Sequence, residues 1–108
     1  MSVREIKESP MEQGTDEKFS YRFDTTLAQN GGTVTPSACT IAVYDITDGA
    51  YTNVTSTVMP VNSPTISTVY ITTSPFFNLT VDKTYRMEYL FTISGNIYER
   101  YIVFYCTR

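Results

Sequence analysis

The sequence contains no histidine and no tryptophan, and only two of its 108 residues are cysteine. Without histidine, catalytic triads, general bases and metal sites that depend on an imidazole are excluded. Two cysteines are also too few for a typical zinc site, which uses four nitrogen or sulfur ligands. These absences predict a protein that is not an enzyme and that uses no cofactor or metal.

Basic residues and long apolar runs are scarce as well. Eight Lys and Arg stand against eleven Asp and Glu, which gives a net charge of -3. Such a chain lacks the positive surface that binds nucleic acid or an anionic membrane. The first eight residues lack the apolar region of a signal peptide, and no run approaches the ~18 apolar residues of a membrane span. We therefore expect a cytosolic product without a secretion signal, and no nucleic-acid or membrane partner.

Aromatic residues are abundant: they make up 14% of the chain, and nine of them are Tyr. With 18% charged residues, this composition is unlike that of a disordered chain and suits β-structure. At this length the chain forms one domain. The sequence predicts an arm or edge strand over residues 1–14 and a β-sandwich domain over residues 15–108.

The last third of the chain predicts two long strands joined by a tight turn. Apolar and polar residues alternate with the period of a strand that buries one face. Gly95-Asn96 suits a two-residue type II′ loop, which places Ser94 opposite Ile97 and Met87 opposite Phe104. In this register one face is almost wholly apolar and includes Tyr85, Met87, Tyr89, Phe91, Ile102, Phe104 and Cys106.

The other face of this hairpin carries a candidate partner surface. A monomer has little reason to leave an apolar and aromatic strip in water, so a protein partner with Tyr anchors is one interpretation. The alternatives are that the N-terminal arm covers the strip, or that the strip faces the core. Arg86, Glu88 and Glu99 edge the strip, which consists of Leu90, Tyr101, Val103 and Tyr105.

Five further strands are predicted upstream, at residues 3–6, 19–24, 38–46, 52–59 and 65–72. Turn-forming residues separate them, and residues 25–37 form a loop. With the final hairpin the count is about seven strands, which is typical of a sandwich or a small barrel. We favour the sandwich.

Cys39 and Cys106 both fall on inward-facing positions. They could meet across the core and form a disulfide. We favour two buried free thiols, because a chain made in a reducing cytosol rarely keeps a disulfide.

Carboxylate pairs are the remaining candidates for chemistry. Asp45 and Asp48 flank one turn, and Glu88 and Glu99 lie near each other on the outer side of the final hairpin. Paired carboxylates catalyse glycosidic cleavage when they stand about 5–9 Å apart in a cleft. A turn and an open sheet face are not clefts, so we interpret both pairs as solvated surface groups.

The segment from Leu79 to Tyr85 resembles the entry to the penultimate strand of fibronectin type III and immunoglobulin-like sandwiches, which has a Leu six residues before a Tyr. The resemblance implies a structural corner in which the Tyr hydroxyl bonds to the backbone. It also implies a single-domain, antiparallel, immunoglobulin-like β-sandwich of about seven strands.

Four further segments carry a second resemblance: residues 43–47, 54–60, 84–89 and 95–99. Through them the sequence resembles the short immunoglobulin-like proteins encoded among structural genes of tailed bacteriophages and prophages. The resemblance implies a non-enzymatic structural or accessory protein that mediates protein contacts or self-association in virion assembly. Its location would be the virion, or the bacterial cytoplasm during assembly. The alternative is a small carbohydrate-type binding module that uses exposed Tyr rings.

Overall fold

The computed structural model of the protein describes residues 3–5 and 9–108. In this part of the chain, nine strands form two sheets. The larger sheet has the order β1-β9-β8-β4-β5, with β2 also paired to β9, and the smaller sheet has the order β3-β7-β6. The all-β expectation is confirmed. The strands are β1 (Val3–Glu5), β2 (Met11–Glu12), β3 (Arg22–Asp24), β4 (Ala38–Asp45), β5 (Thr52–Asn53), β6 (Thr65–Ser67), β7 (Tyr70–Thr72), β8 (Thr84–Ile93) and β9 (Asn96–Tyr105).

The final hairpin is present, but its predicted register is wrong by two residues. Ile93 pairs with Asn96 and Met87 with Ile102. The loop is therefore Ser94-Gly95, whose φ angles of 51° and 81° are both positive, as a type I′ turn requires. A shift of two residues, unlike a shift of one, leaves every side chain on its expected face. The predicted division into an inner and an outer face survives for that reason.

The core lies between the two sheets and is rich in aromatic rings. Phe23 of the smaller sheet contacts Tyr89 and Phe91 of β8, with ring centres 5.2 and 5.6 Å apart. Elsewhere in the core, the fully buried Phe76 packs against Phe104, with ring centres 4.9 Å apart. Burial of each such side chain contributes roughly 1.5–3 kcal/mol, so these contacts hold the two layers together.

The N-terminal segment extends the larger sheet beyond β9. Both β1 and β2 run parallel to β9. Between them, the Val103 N–H donates to Ser9 Oγ at 2.8 Å, and after β2 the Gln13 N–H donates to the Tyr105 carbonyl at 3.1 Å. The edge strand expected at residues 3–6 is present as β1, and Ile6 lies outside the described residues.

The strand predicted at residues 52–59 is wrong beyond its first two residues. After β5 the chain forms a single helical turn, α1 (Thr55–Val58). The Asn53 side chain accepts hydrogen bonds from the Thr55 N–H and hydroxyl, and the Thr55 hydroxyl in turn accepts one from the Val43 N–H. These local side-chain bonds compete with strand extension. A 3₁₀ turn at Thr47–Gly49 precedes β5.

The single strand predicted at residues 65–72 is instead a hairpin of β6 and β7. Thr68, at a φ of 54°, lies in its turn. Ile66 and Ile71 are paired and share a face, whereas one continuous strand would put them on opposite faces. This hairpin and β2 raise the count from the predicted seven strands to nine in the described part of the chain.

The two cysteines are free thiols. Cys39 pairs with Phe91 near one end of β8, whereas the Cys106 N–H bonds to Lys83 just before the other end. Eight residues of strand separate the levels of Phe91 and Lys83, which is roughly 26 Å. The possibility that the two thiols meet across the core is therefore ruled out, since a disulfide needs Cα atoms less than about 7 Å apart.

Candidate binding surface

The larger sheet presents a broad face away from the smaller sheet, which we call the outer face. Its rows follow from the pairing of β4, β8 and β9, because paired residues share a side. Thr40, Leu90 and Glu99 form one such row. On β4, β8 and β9 the outer face consists of Ala38, Thr40, Ala42, Tyr44, Thr84, Arg86, Glu88, Leu90, Thr92, Ile97, Glu99, Tyr101, Val103 and Tyr105.

All four residues of the predicted partner strip lie on the outer face. Leu90 is 41% exposed and Tyr105 is 42% exposed, while Tyr101 and Val103 are half-buried. The strip does not face the core, and the described N-terminal strands lie beside it in the sheet. Its contact with a partner remains a prediction.

An aromatic and ionic cluster stands beside this strip. The rings of Tyr44 and Tyr51 are stacked 4.2 Å apart at an angle of 5°. The Tyr51 hydroxyl donates a hydrogen bond to Glu88, whose carboxylate also pairs with Arg86 at 2.9 Å. The Arg86 guanidinium lies 3.8 Å from the centre of the Tyr101 ring. Such a cation–π contact orders the ring that we expect to act as an anchor.

Tyr51 is protonated at neutral pH in this cluster. Partial burial of its hydroxyl, together with the hydrogen bond to Glu88 and the charge of that carboxylate, raises the pKa of Tyr51 to about 12. The phenol therefore remains a hydrogen-bond donor to Glu88. This contact holds the connection between β4 and β5 against the outer face.

Sequence reasoning found only part of this cluster. Alternation along β4 places Tyr44 on the same side as Thr40 and Ala42, so its position was predictable. Tyr51 precedes β5 outside any alternating run, and no sequence signal predicted that its ring would lie at the outer face. Only the pairing of β4 with both β5 and β8 brings Tyr51 close to Glu88.

A small depression opens on the outer face where β4 carries short side chains. Its volume is about 180 Å³. Thr40 and Ala42 are flanked by the larger side chains of Tyr44, Leu90 and Glu99. Within the part of the chain that the structure describes, the Glu99 carboxylate has no hydrogen bond or ion pair. The full lining is Thr40, Ala42, Tyr44, Glu88, Tyr89, Leu90 and Glu99.

The predicted structural corner contains a hydrogen bond between hydroxyl and backbone. The Thr80 N–H donates to the Tyr85 hydroxyl at 2.9 Å. Leu79 and Tyr85 are both buried, with 5% and 4% of their surfaces exposed. The hydroxyl therefore satisfies a backbone donor at the entry to β8.

Of the four carboxylates considered for chemistry, Asp45 and Glu88 are engaged in local contacts, Asp48 stands in a turn, and Glu99 lies at the depression on the outer face. Burial opposes ionisation of Asp45, but hydrogen bonds from Thr47 and the charge of Lys83 outweigh it and lower the Asp45 pKa. Asp48 lies in the 3₁₀ turn. Among the described residues there is no cluster of three or more metal-binding side chains, and no helix has the length and hydrophobicity needed to cross a membrane.

Comparison with known protein families found no matching family, and searches among curated proteins and solved structures found no match either. A function must therefore be inferred from the residues of the protein itself.

Proposed function

We propose that this protein is a non-enzymatic interaction module that binds another protein through its outer face. The observation that carries the proposal is the grouping of Leu90, Tyr101 and Tyr105 beside the cluster of Tyr44 and Tyr51 on one open sheet face. Exposed Tyr rings with an ordered Arg are the side chains that most often anchor protein interfaces.

The size of the outer face suits a weak or transient protein contact. β4, β8 and β9 have 8, 10 and 10 residues, which at about 4.8 Å between strands and 3.3 Å per residue cover roughly 440 Å². Two partners would together bury about 900 Å², which is typical of a transient interface.

The proposal includes an immunoglobulin-like sandwich and a role in phage or prophage virion assembly. The strands of an immunoglobulin-like domain are lettered A to G and form two sheets, A-B-E-D and C-F-G. In the proposed assignment, β3, β7 and β6 take the places of B, E and D. Likewise β4, β8 and β9 take the places of C, F and G. The bond from Thr80 to Tyr85 supports the same architecture. The N-terminal strands join β9 rather than β3, which departs from the constant-type arrangement. The virion role rests on the sequence resemblance.

Self-association and partner binding can be tested with one pair of variants. The double variant Leu90→Ser/Tyr105→Ser removes two exposed apolar groups from the outer face. Val61→Ser is the matched control, since Val61 is 62% exposed outside the sheets. Proteins that co-purify from phage-producing cells are identified, and their affinity is then measured with purified components, alongside light scattering of the protein alone.

We expect the double variant to weaken the complex, or the self-association, at least tenfold, and the Val61 variant to leave it unchanged. Equal association of the wild type and the double variant would show that the outer face is not the interface.

A carbohydrate-type binding module is the second candidate, favoured by the stacked rings of Tyr44 and Tyr51. The depression of about 180 Å³ weighs against it, because small-molecule sites span about 300–1,000 Å³. Stabilisation of a monomer by sugars in a thermal-shift screen would favour this candidate over the first.

A further inference from the structure

The depression on the outer face has room for one side chain. A water molecule occupies about 30 Å³ in the liquid, so about 180 Å³ corresponds to roughly six waters. A single extended side chain is of this size, whereas a drug-sized molecule is larger. Apolar groups from Ala42 and Leu90 and the ring of Tyr44 line much of it, so an aliphatic stem would be accommodated.

The charge at the rim of the depression is negative. The carboxylate of Glu88 is compensated, because it pairs with Arg86 at 2.9 Å and accepts a hydrogen bond from Tyr51. The carboxylate of Glu99 has no such partner within the described residues. Because Glu99 is half-buried, its charge is less screened by solvent than that of a fully exposed carboxylate.

We propose that the depression receives a lysine or arginine side chain of the protein partner, with the cationic group against Glu99 and the aliphatic stem along Leu90. The inference rests on the proposed function, since it assigns the partner's chemistry at the same face. The ring of Tyr44 adds an aromatic surface that attracts a cation. A basic side chain fits the depression in size, and its aliphatic stem suits the apolar lining. Its positive charge is complementary to the negative charge of Glu99.

The test uses nuclear magnetic resonance of the ¹⁵N-labelled protein with three small probes: the N-acetyl amides of arginine, lysine and citrulline. Citrulline has nearly the shape of arginine but carries no charge. We expect the arginine or lysine amide to bind with millimolar affinity and to shift the amide signals of Thr40, Leu90 and Glu99. The citrulline amide should bind at least fivefold more weakly.

Two variants separate the charge from the shape of the depression. Glu99→Gln keeps the shape and should weaken probe binding at least fivefold. Ala42→Phe keeps the charge but fills the depression, and should also abolish the shifts. Asp16→Asn removes one exposed carboxylate outside the sheets and should change nothing. Preserved signal dispersion in each spectrum shows that the variant is folded.

Shifts that are absent, spread over the surface or equally strong with the citrulline amide would overturn this inference. Its failure differs from that of the proposed function. If a protein partner depends on Leu90 and Tyr105 but binds Glu99→Gln and Ala42→Phe as tightly as the wild type, the interface stands and the basic side chain is wrong. If none of these substitutions changes the affinity for the partner, the proposal that the outer face is the interface is itself wrong.

Discussion

The side-chain nitrogen of Gln13 donates a hydrogen bond to the Phe76 carbonyl, 2.7 Å away and 63 residues further along the chain. The same nitrogen donates to the Glu17 carbonyl at 3.1 Å, and the Gln13 side-chain oxygen accepts a bond from the Tyr21 hydroxyl. Only 1% of Gln13 is exposed. A buried amide whose polar atoms are all engaged ties the N-terminal segment to the core.

Replacement of Gln13 by Ala should lower the free energy of unfolding by about 1–3 kcal/mol, because it leaves the Tyr21 hydroxyl without its acceptor and removes one of two hydrogen bonds to the Phe76 carbonyl, which also accepts from the Phe19 N–H. Urea unfolding monitored by circular dichroism measures the loss. The control is Glu12→Ala, which alters the exposed neighbour and should cost less than about 0.5 kcal/mol. Similar losses for the two variants would contradict a structural role for the Gln13 network.

Tyr85→Phe should cost about 1 kcal/mol, because the Thr80 N–H loses its acceptor while the buried ring remains in place. Tyr105→Phe removes a hydroxyl from a ring that is 42% exposed and should have little effect on stability. Thermal unfolding of the two variants makes the comparison. If both midpoints match that of the wild type, the hydroxyl of Tyr85 does not stabilise the corner.

Gly95→Ala should lower stability by about 1–2 kcal/mol, because a Cβ at a φ of 81° is strained. Ser94→Gly should instead raise stability slightly, because Ser94 adopts a φ of 51° in the Ser94-Gly95 loop and glycine is unstrained there. In a type II′ Gly95-Asn96 loop, Ser94 would lie in the strand, where glycine costs about 0.5–1 kcal/mol. Urea midpoints measure both variants, and a loss of stability in Ser94→Gly would favour the Gly95-Asn96 loop.

The thiol of Cys39 should react slowly at neutral pH. Burial raises the pKa of Cys39 to about 12 from an ordinary value near 9. Because the thiolate is the nucleophile, its fraction at pH 7 falls about a thousandfold. The rate of reaction with a disulfide reagent, measured in Cys106→Ala so that only Cys39 contributes, should rise tenfold per pH unit through pH 10. A plateau near pH 9 in the folded protein would rule out the raised pKa.

The same thiol makes stability depend on alkaline pH. A group whose pKa is higher in the folded state binds its proton more tightly there. The contribution of Cys39 to stability is therefore fully present below about pH 9 and is lost as the pH rises toward about 12. Between pH 8 and pH 10 the urea midpoint of the wild type should fall more than that of Cys39→Ala. An equal fall would show that the folded state does not raise the Cys39 pKa.

Periodicity in the sequence was enough to predict the two long strands and the sides on which their residues lie. A period of two assigns each side chain to a face, and Met87, Tyr89 and Phe91 are buried as that assignment requires. The same period does not distinguish registers that differ by two residues. The backbone of Ser94 and Gly95 decided between them, since both adopt positive φ.

Contacts between distant segments decided the rest. No local pattern indicates that Tyr51 reaches Glu88 or that the Val43 N–H donates to Thr55, because these bonds form only once β5 lies beside β4. The partner strip shows which part of its placement followed from the sequence and which part followed from the tertiary structure. Alternation in the sequence placed Leu90 and Tyr101 on one side of the final hairpin, whereas the packing of β3, β6 and β7 against the opposite side determined that this side is the outer one.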